Sequence, residues 1–192
     1  MKNKSLIIII AALVAIVAVA AVVYPSLSEK AQQQLQADTS AEENTGNEKN
    51  TLSSDSEAYK KFEGIKFYDK DGKEVQLTDM LGKPILINFW ATWCGYCVME
   101  MPDFEKAYKE YGDEIQFVFI NPDESINTGE SFLSSEGFEI PAYYDLDHIA
   151  AYAFSVRSYP TTIAIDRNGE IKYLRPGMIN ADTLNSIIDS IL

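Results

Sequence analysis

The chain has 192 residues, with 29 Asp and Glu against 16 Lys and Arg and a formal net charge of −13. That balance argues against binding nucleic acid or anionic lipid headgroups, both of which recruit a basic face. Two cysteines and a single histidine, His148, far from them in sequence, are too few soft ligands for a four-coordinate zinc site.

The N-terminus reads as a targeting segment. Lys2 and Lys4 precede an unbroken apolar run from Leu6 to Val23. Basic residues hold the near end on the cytoplasmic side, so the chain beyond Val23 is expected to be exported. Eighteen apolar residues sit at the lower edge of what crosses a bilayer. Ala18-Val19-Ala20 has the small–any–small form of a cleavage site, but the apolar run continues past it, which favours a retained anchor over secretion after cleavage. No cysteine lies near the run, so a lipid-modified N-terminus is excluded. Residues 1–23 are thus expected to be an anchor and 24–57 a disordered polar linker, rich in Gln, Asn, Ser, Thr and Glu. As a flexible coil the linker would reach about 30–35 Å. The folded domain is expected over 58–192.

Within the domain, Ile65 to Tyr68 and Glu74 to Leu77 flank Asp69-Lys70-Asp71-Gly72, the pattern of a β-hairpin. A short helical turn over 78–81 closes at Gly82, and Pro84 opens a buried strand running to Trp90. From Cys97, apolar residues at Met101, Phe104, Tyr108 and Tyr111 mark one helix face that stops at Gly112. Ile115 to Ile120 reads as a central strand and Glu124 to Ser135 as a helix ended at Gly137. Ala142 to Tyr144 follows as a short strand and His148 to Phe154 as a short helix. Thr161 to Ile165 and Ile171 to Leu174 form a second hairpin through Asp166-Arg167-Asn168-Gly169. Asp182 to Leu192 is an amphipathic helix carrying Leu184, Ile187, Ile188 and Ile191. The expected fold class is α/β, a mixed sheet with helices on both faces.

Cys94 and Cys97 stand where the buried strand gives way to this first long helix. Unpaired N–H groups and the positive end of the helix dipole there favour a thiolate on the first cysteine. A thiolate attacks disulfides, and a second thiol three positions on can resolve the mixed disulfide. A purely structural disulfide is the competing reading, but so short a loop removes little unfolded-state entropy.

The segment FWATWCGYC (89–97), the Glu100 and Pro102 that follow it, Tyr159-Pro160-Thr161-Thr162 and the Asp166–Gly169 turn together resemble the TlpA/ResA type of membrane-anchored, thioredoxin-like thiol–disulfide oxidoreductases. The resemblance spans Phe62 to Leu192 and includes the N-terminal anchor. It implies a thioredoxin fold with an N-terminal β-hairpin and a strand–helix insertion within Phe117 to Phe154. It also implies a cis peptide at Tyr159–Pro160 beside the cysteines, where substrate backbone pairs. Under it Cys94 is the nucleophile and Cys97 the resolving thiol. Trp93, Tyr159 and Pro160 border the substrate, while Trp90 serves the core. Glu100, one helical turn past Cys97, tunes the thiols and moves protons. Ordinary thioredoxins carry a buried aspartate on the strand before the motif. Here Asn88 stands there, which cannot accept a proton, so acid–base duty falls to Glu100 or water. A peroxiredoxin frame would need threonine where Ala91 stands. A copper-delivery relative would need one more residue between the cysteines.

The resemblance further implies a reductase of disulfides in exported proteins, with apocytochrome c, oxidised envelope proteins or methionine sulfoxide reductases as clients. Electrons would come from a membrane donor of the CcdA/DsbD type. No cofactor beyond the Cys94–Cys97 couple, no metal and a monomeric state are expected. Gly95-Tyr96 does not decide direction, so an oxidase using the same pair stays open, as does a metal-binding module of this fold.

Overall fold

The computed structural model describes residues 56–192. The apolar run, and all of the expected linker except Ser56 and Glu57, lie outside them. Among the described residues no helix is long and apolar enough to cross a membrane.

Ser56 opens α1 (Glu57–Phe62) by accepting the Tyr59 N–H at 3.1 Å. The sequence reading begins the domain at Ala58 and expects no helix here, because six residues with one large apolar side chain show no period. That side chain, Phe62, is fully buried and lies 6.3 Å from the Phe154 ring.

The expected hairpin forms from β1 (Lys66–Tyr68) and β2 (Glu74–Gln76). Asp69 builds its turn, with Oδ1 accepting the N–H groups of Asp71 and Lys73. Asp166 does the same between β6 (Thr161–Ile165) and β7 (Ile171–Pro176), accepting from Asn168 and Glu170. Gly169 in that turn has φ +80°, and a Cβ there would sit 2.4 Å from that of Ala58, so glycine is required both by the backbone and by α1. A single 3-10 turn, Leu77–Met80, follows β2.

Seven strands form one sheet in the order β2-β1-β5-β4-β3-β6-β7. Central β3 (Ile85–Phe89) lies parallel to β4 (Gln116–Asn121) and antiparallel to β6. Short β5 (Ala142–Tyr144) runs parallel to β4 and meets β1 at Tyr68–Tyr144, so the inserted strand ties the N-terminal hairpin to the core sheet. Every residue of β3 is buried, because both faces of the strand are covered. Leu86 joins Trp90 in the core beneath α2 (Gly95–Tyr111) and α5 (Ala181–Ile191), whose contributions include Met101, Phe104, Leu184 and Ile188. Ile85, Ile87 and Phe89 face the opposite core with Phe62 and with Phe154, which caps α4 (Ile149–Ala153). This alternation aims Asn88 at the α2 face. Removing a ring as deeply buried as Phe62 or Phe104 would cost about 3–5 kcal/mol.

The boundaries move where side chains intervene. Helix α2 starts at Gly95, two residues before the expected Cys97, because Cys94 itself is the cap. Helix α3 runs from Ile126 to Glu136, not from Glu124. Ser125 caps it through the Thr128 N–H, and the Glu124 side chain is engaged elsewhere. His148 is exposed at the head of α4, as expected, but makes no side-chain cap. The buried Asp145 caps the helix, accepting from Ala150 and Ala151 at 3.1 and 2.7 Å.

Candidate active site at the head of helix α2

Residues 90–94 carry the chain from the end of β3 onto α2, and both cysteines sit at that junction. Cys94 occupies the cap position in extended backbone (φ −86°, ψ 96°), so its sulfur turns back over the first helical turn and accepts the Cys97 N–H at 3.2 Å. The two are joined as a disulfide. Cys97, one turn inside, is 0% exposed and Cys94 is 6% exposed. Only Cys94 can therefore be reached from outside, and its thiolate would lie among the unpaired N–H groups of the helix start.

Two of the residues expected to border the substrate, Trp93 and Tyr159, pack together beside the cysteine turn. Trp93 is 66% exposed and packs its ring against Tyr159 with centroids 5.8 Å apart. Tyr159 donates its hydroxyl to Asp123 at 3.0 Å. Burial, with Asp123 as acceptor, pushes the phenol well above its ordinary range, so it remains a donor. The Tyr159–Pro160 bond is cis, and Pro160 is buried at the entry to β6. Trp90 lies in the core below, fully buried against Phe132.

Glu100 sits on α2 three residues beyond Cys97, a spacing that puts two side chains on one helix face. It is 2% exposed. One carboxylate oxygen accepts the Asn88 amide at 2.8 Å and the other the Ile179 N–H at 2.9 Å. Burial raises its pKa to about 7; those two bonds pull the other way, and Asp103 adds a smaller repulsion in the direction of burial. Asn88, also bonded to Thr162 at 3.2 Å, thus orients the carboxyl that replaces the missing aspartate as the buried titratable group. A carboxyl that titrates near neutrality on the same helix face as Cys97 can both give and take a proton at working pH.

Glu124 and Asp123 escape a reading of the sequence. Asn121-Pro122-Asp123-Glu124 looks like a polar helix start, and nothing in its spacing relates it to residue 92 or 159. Glu124 instead reaches across to Thr92, accepting its N–H at 2.8 Å and forming a short bond with its hydroxyl. The only advance signal is Asn121, a polar residue directly after the apolar run 117–120, where a side chain shut off from water must find protein partners.

Comparison with known proteins agrees with this fold. The Redoxin family model matches residues 55–191. Thiol-disulfide oxidoreductase ResA of Geobacillus thermodenitrificans is 32% identical over 124 residues, 64% of this chain and 71% of that protein. The structure of MTB DsbF, in mixed oxidized and reduced forms, superposes with a TM-score of 0.63 over 71% of this chain and 99% of that one. At 21% identity it speaks for the fold alone. The pneumococcal exposed lipoprotein thioredoxin Etrx1 from Streptococcus pneumoniae is 26% identical, with a TM-score of 0.54 over 65% of this chain and 98% of its own. A family model that covers all but the last residue of the described domain, with a relative 32% identical over 71% of its length, settles the family: the chain belongs to the Redoxin family and is a thioredoxin-like thiol–disulfide oxidoreductase of the TlpA/ResA type.

Proposed function

We propose that this oxidoreductase works in the reducing direction on disulfides of selected exported proteins, held outside the membrane by the apolar run 6–23. The observation that carries the reading is the asymmetric dithiol, with an accessible Cys94 over a buried Cys97 and a neutral-range Glu100 on the same helix face. In the reduced enzyme the Cys94 thiolate attacks one sulfur of a client disulfide and releases the other as a thiolate. Cys97 then attacks the Cys94 sulfur of the mixed disulfide, freeing the second client thiol and closing the Cys94–Cys97 bond. Two electrons pass to the client. Glu100 takes the Cys97 proton, and that proton neutralises the departing thiolate. The couple itself is the redox group, with no separate cofactor or metal, and a membrane dithiol of the CcdA/DsbD type restores it. The clients are exported proteins such as apocytochrome c, oxidised envelope proteins or methionine sulfoxide reductases. Their cystine-bearing strand lies along Trp93, Tyr159 and Pro160, and the enzyme acts as a monomer. Lys2, Lys4 and the apolar run support the location, as does the description of Etrx1 as exposed.

The potential of the Cys94–Cys97 couple, equilibrated against glutathione, tests the direction. A reductase requires a value below about −220 mV, toward that of thioredoxin, and a value near −120 mV would make the protein an oxidase.

A further inference from the structure

The loop between β4 and α3 carries two neighbouring carboxylates that each grip one side of the dithiol opening. Asp123 holds Tyr159. Glu124 holds Thr92, two residues before Cys94, by both its N–H and its hydroxyl. The loop is itself braced. The buried Asn121 accepts the N–H groups of Asp123 and Glu124, both at 3.1 Å, and donates its amide to the Glu124 carboxylate at 2.6 Å. Glu124 therefore faces three donors, two of them the Thr92 N–H and the Asn121 amide that can only donate, a setting that favours the ionised carboxylate. Burial opposes that charge, but the bonds from Thr92 and Asn121 prevail and hold the carboxyl below the usual range. Among the described residues no Lys or Arg pairs with it in a salt bridge, so hydrogen bonds alone hold the negative charge. Asp123 is the chain neighbour of Glu124, and the Tyr144 phenol, bonded to Glu130, feels its charge; neither is a cation.

We infer that Glu124 is a positioning residue of the dithiol: through Thr92 it fixes the turn that presents Cys94, and the negative charge it brings to that turn disfavours the thiolate. A charge there works against the helix dipole, which favours the same thiolate. Because the thiolate belongs to the reduced form, disfavouring it destabilises that form and makes the enzyme a stronger reductant. The inference rests on the dithiol chemistry of the site, and its sign bears on the reductase reading proposed above.

The test uses the full-length enzyme, reduced, with Cys94 titrated by ultraviolet thiolate absorbance and the couple equilibrated with glutathione at about pH 9, where the thiolate prevails. In Glu124→Gln the Cys94 pKa should fall by about 0.5–1 unit. The glutathione equilibrium should move about 3- to 10-fold toward the dithiol form. Glu124→Asp, which keeps the charge, should titrate close to the parent. Should Glu124→Gln fail to fold, Glu124→Ala, which lets water reach the Thr92 N–H, reads the same two quantities. An unchanged Cys94 pKa in a folded neutral variant, or an equal shift in Glu124→Asp, overturns the inference. The parent's own potential separately decides the reductase reading, so the two can fail independently.

Discussion

Replacing Glu100 by glutamine keeps the volume and one acceptor oxygen while removing the titration, and two measurements then separate a structural carboxyl from a working one. Burial lifts the group from 4.5 to about 7. At about 1.4 kcal/mol per unit, a displacement of that order makes the ionised form about 3 kcal/mol less favourable in the folded chain than in the unfolded one. Since the folded value lies above the unfolded one, the folded chain holds the proton more tightly. The group's stabilising contribution is complete below about pH 4.5, declines as pH rises through about 7, and stays lost above that. Glutamine removes this slope. Its single oxygen can serve Asn88 or Ile179 but not both, and the unserved donor costs about 1–3 kcal/mol at every pH. Glu100→Gln should therefore be less stable than the parent at pH 4.5 and should close or reverse that gap by pH 8, a relative gain of about 3 kcal/mol. Urea unfolding of the oxidised enzyme across this range measures it, and parallel stability–pH curves would refute the argument from burial.

The kinetic half uses stopped-flow disulfide exchange from roughly pH 5 to 9. The parent should show a break near the Glu100 pKa of about 7, and the variant a flatter profile slowed by about 10- to 100-fold. If the stability slope vanishes but the rate profiles superimpose, Glu100 is a buried structural carboxyl and its proton-transfer role is wrong.

The parts of the molecule that were legible in advance are those written in local pattern. Alternating and continuous apolar runs located β3, β4 and β6, and the Asp-x-x-Gly turns located both hairpins. The spacing of Leu184, Ile187, Ile188 and Ile191 gave α5. Within the site, Cys94, Cys97 and Glu100 could be placed because they share one helix start, where sequence distance is spatial distance. The carboxylates at 123 and 124 could not, since their partners lie 36 and 32 positions away and meet them only once β3, β4 and β6 lie side by side. The Ile179 N–H that fixes Glu100 is 79 residues from it and belongs to a backbone that carries no identity in the sequence. Helix α1 was missed for the opposite reason: six residues are too few to show a period, and its place depends on Gly169 leaving room for Ala58.

Two predictions remain. Alkylation of the reduced enzyme should be fast only at Cys94, so Cys94→Ser should abolish the rapid phase and Cys97→Ser retain it; rapid labelling of Cys97 would reverse the roles assigned from their 6% and 0% exposures. Residues 56–192 should fold cooperatively on their own and reduce insulin, because they supply a buried apolar cluster on each face of the sheet. The cut must fall before Ser56 and not after Glu57, since Ser56 caps α1 and α1 seats Phe62 against Phe154. Beginning instead at Gly64 removes that ring and should cost about 3–5 kcal/mol, seen as a lower urea midpoint at similar slope. Failure of the 56–192 protein to unfold cooperatively would show that the segment before it is structural, and equal midpoints for the two truncations would show that α1 contributes nothing to the core.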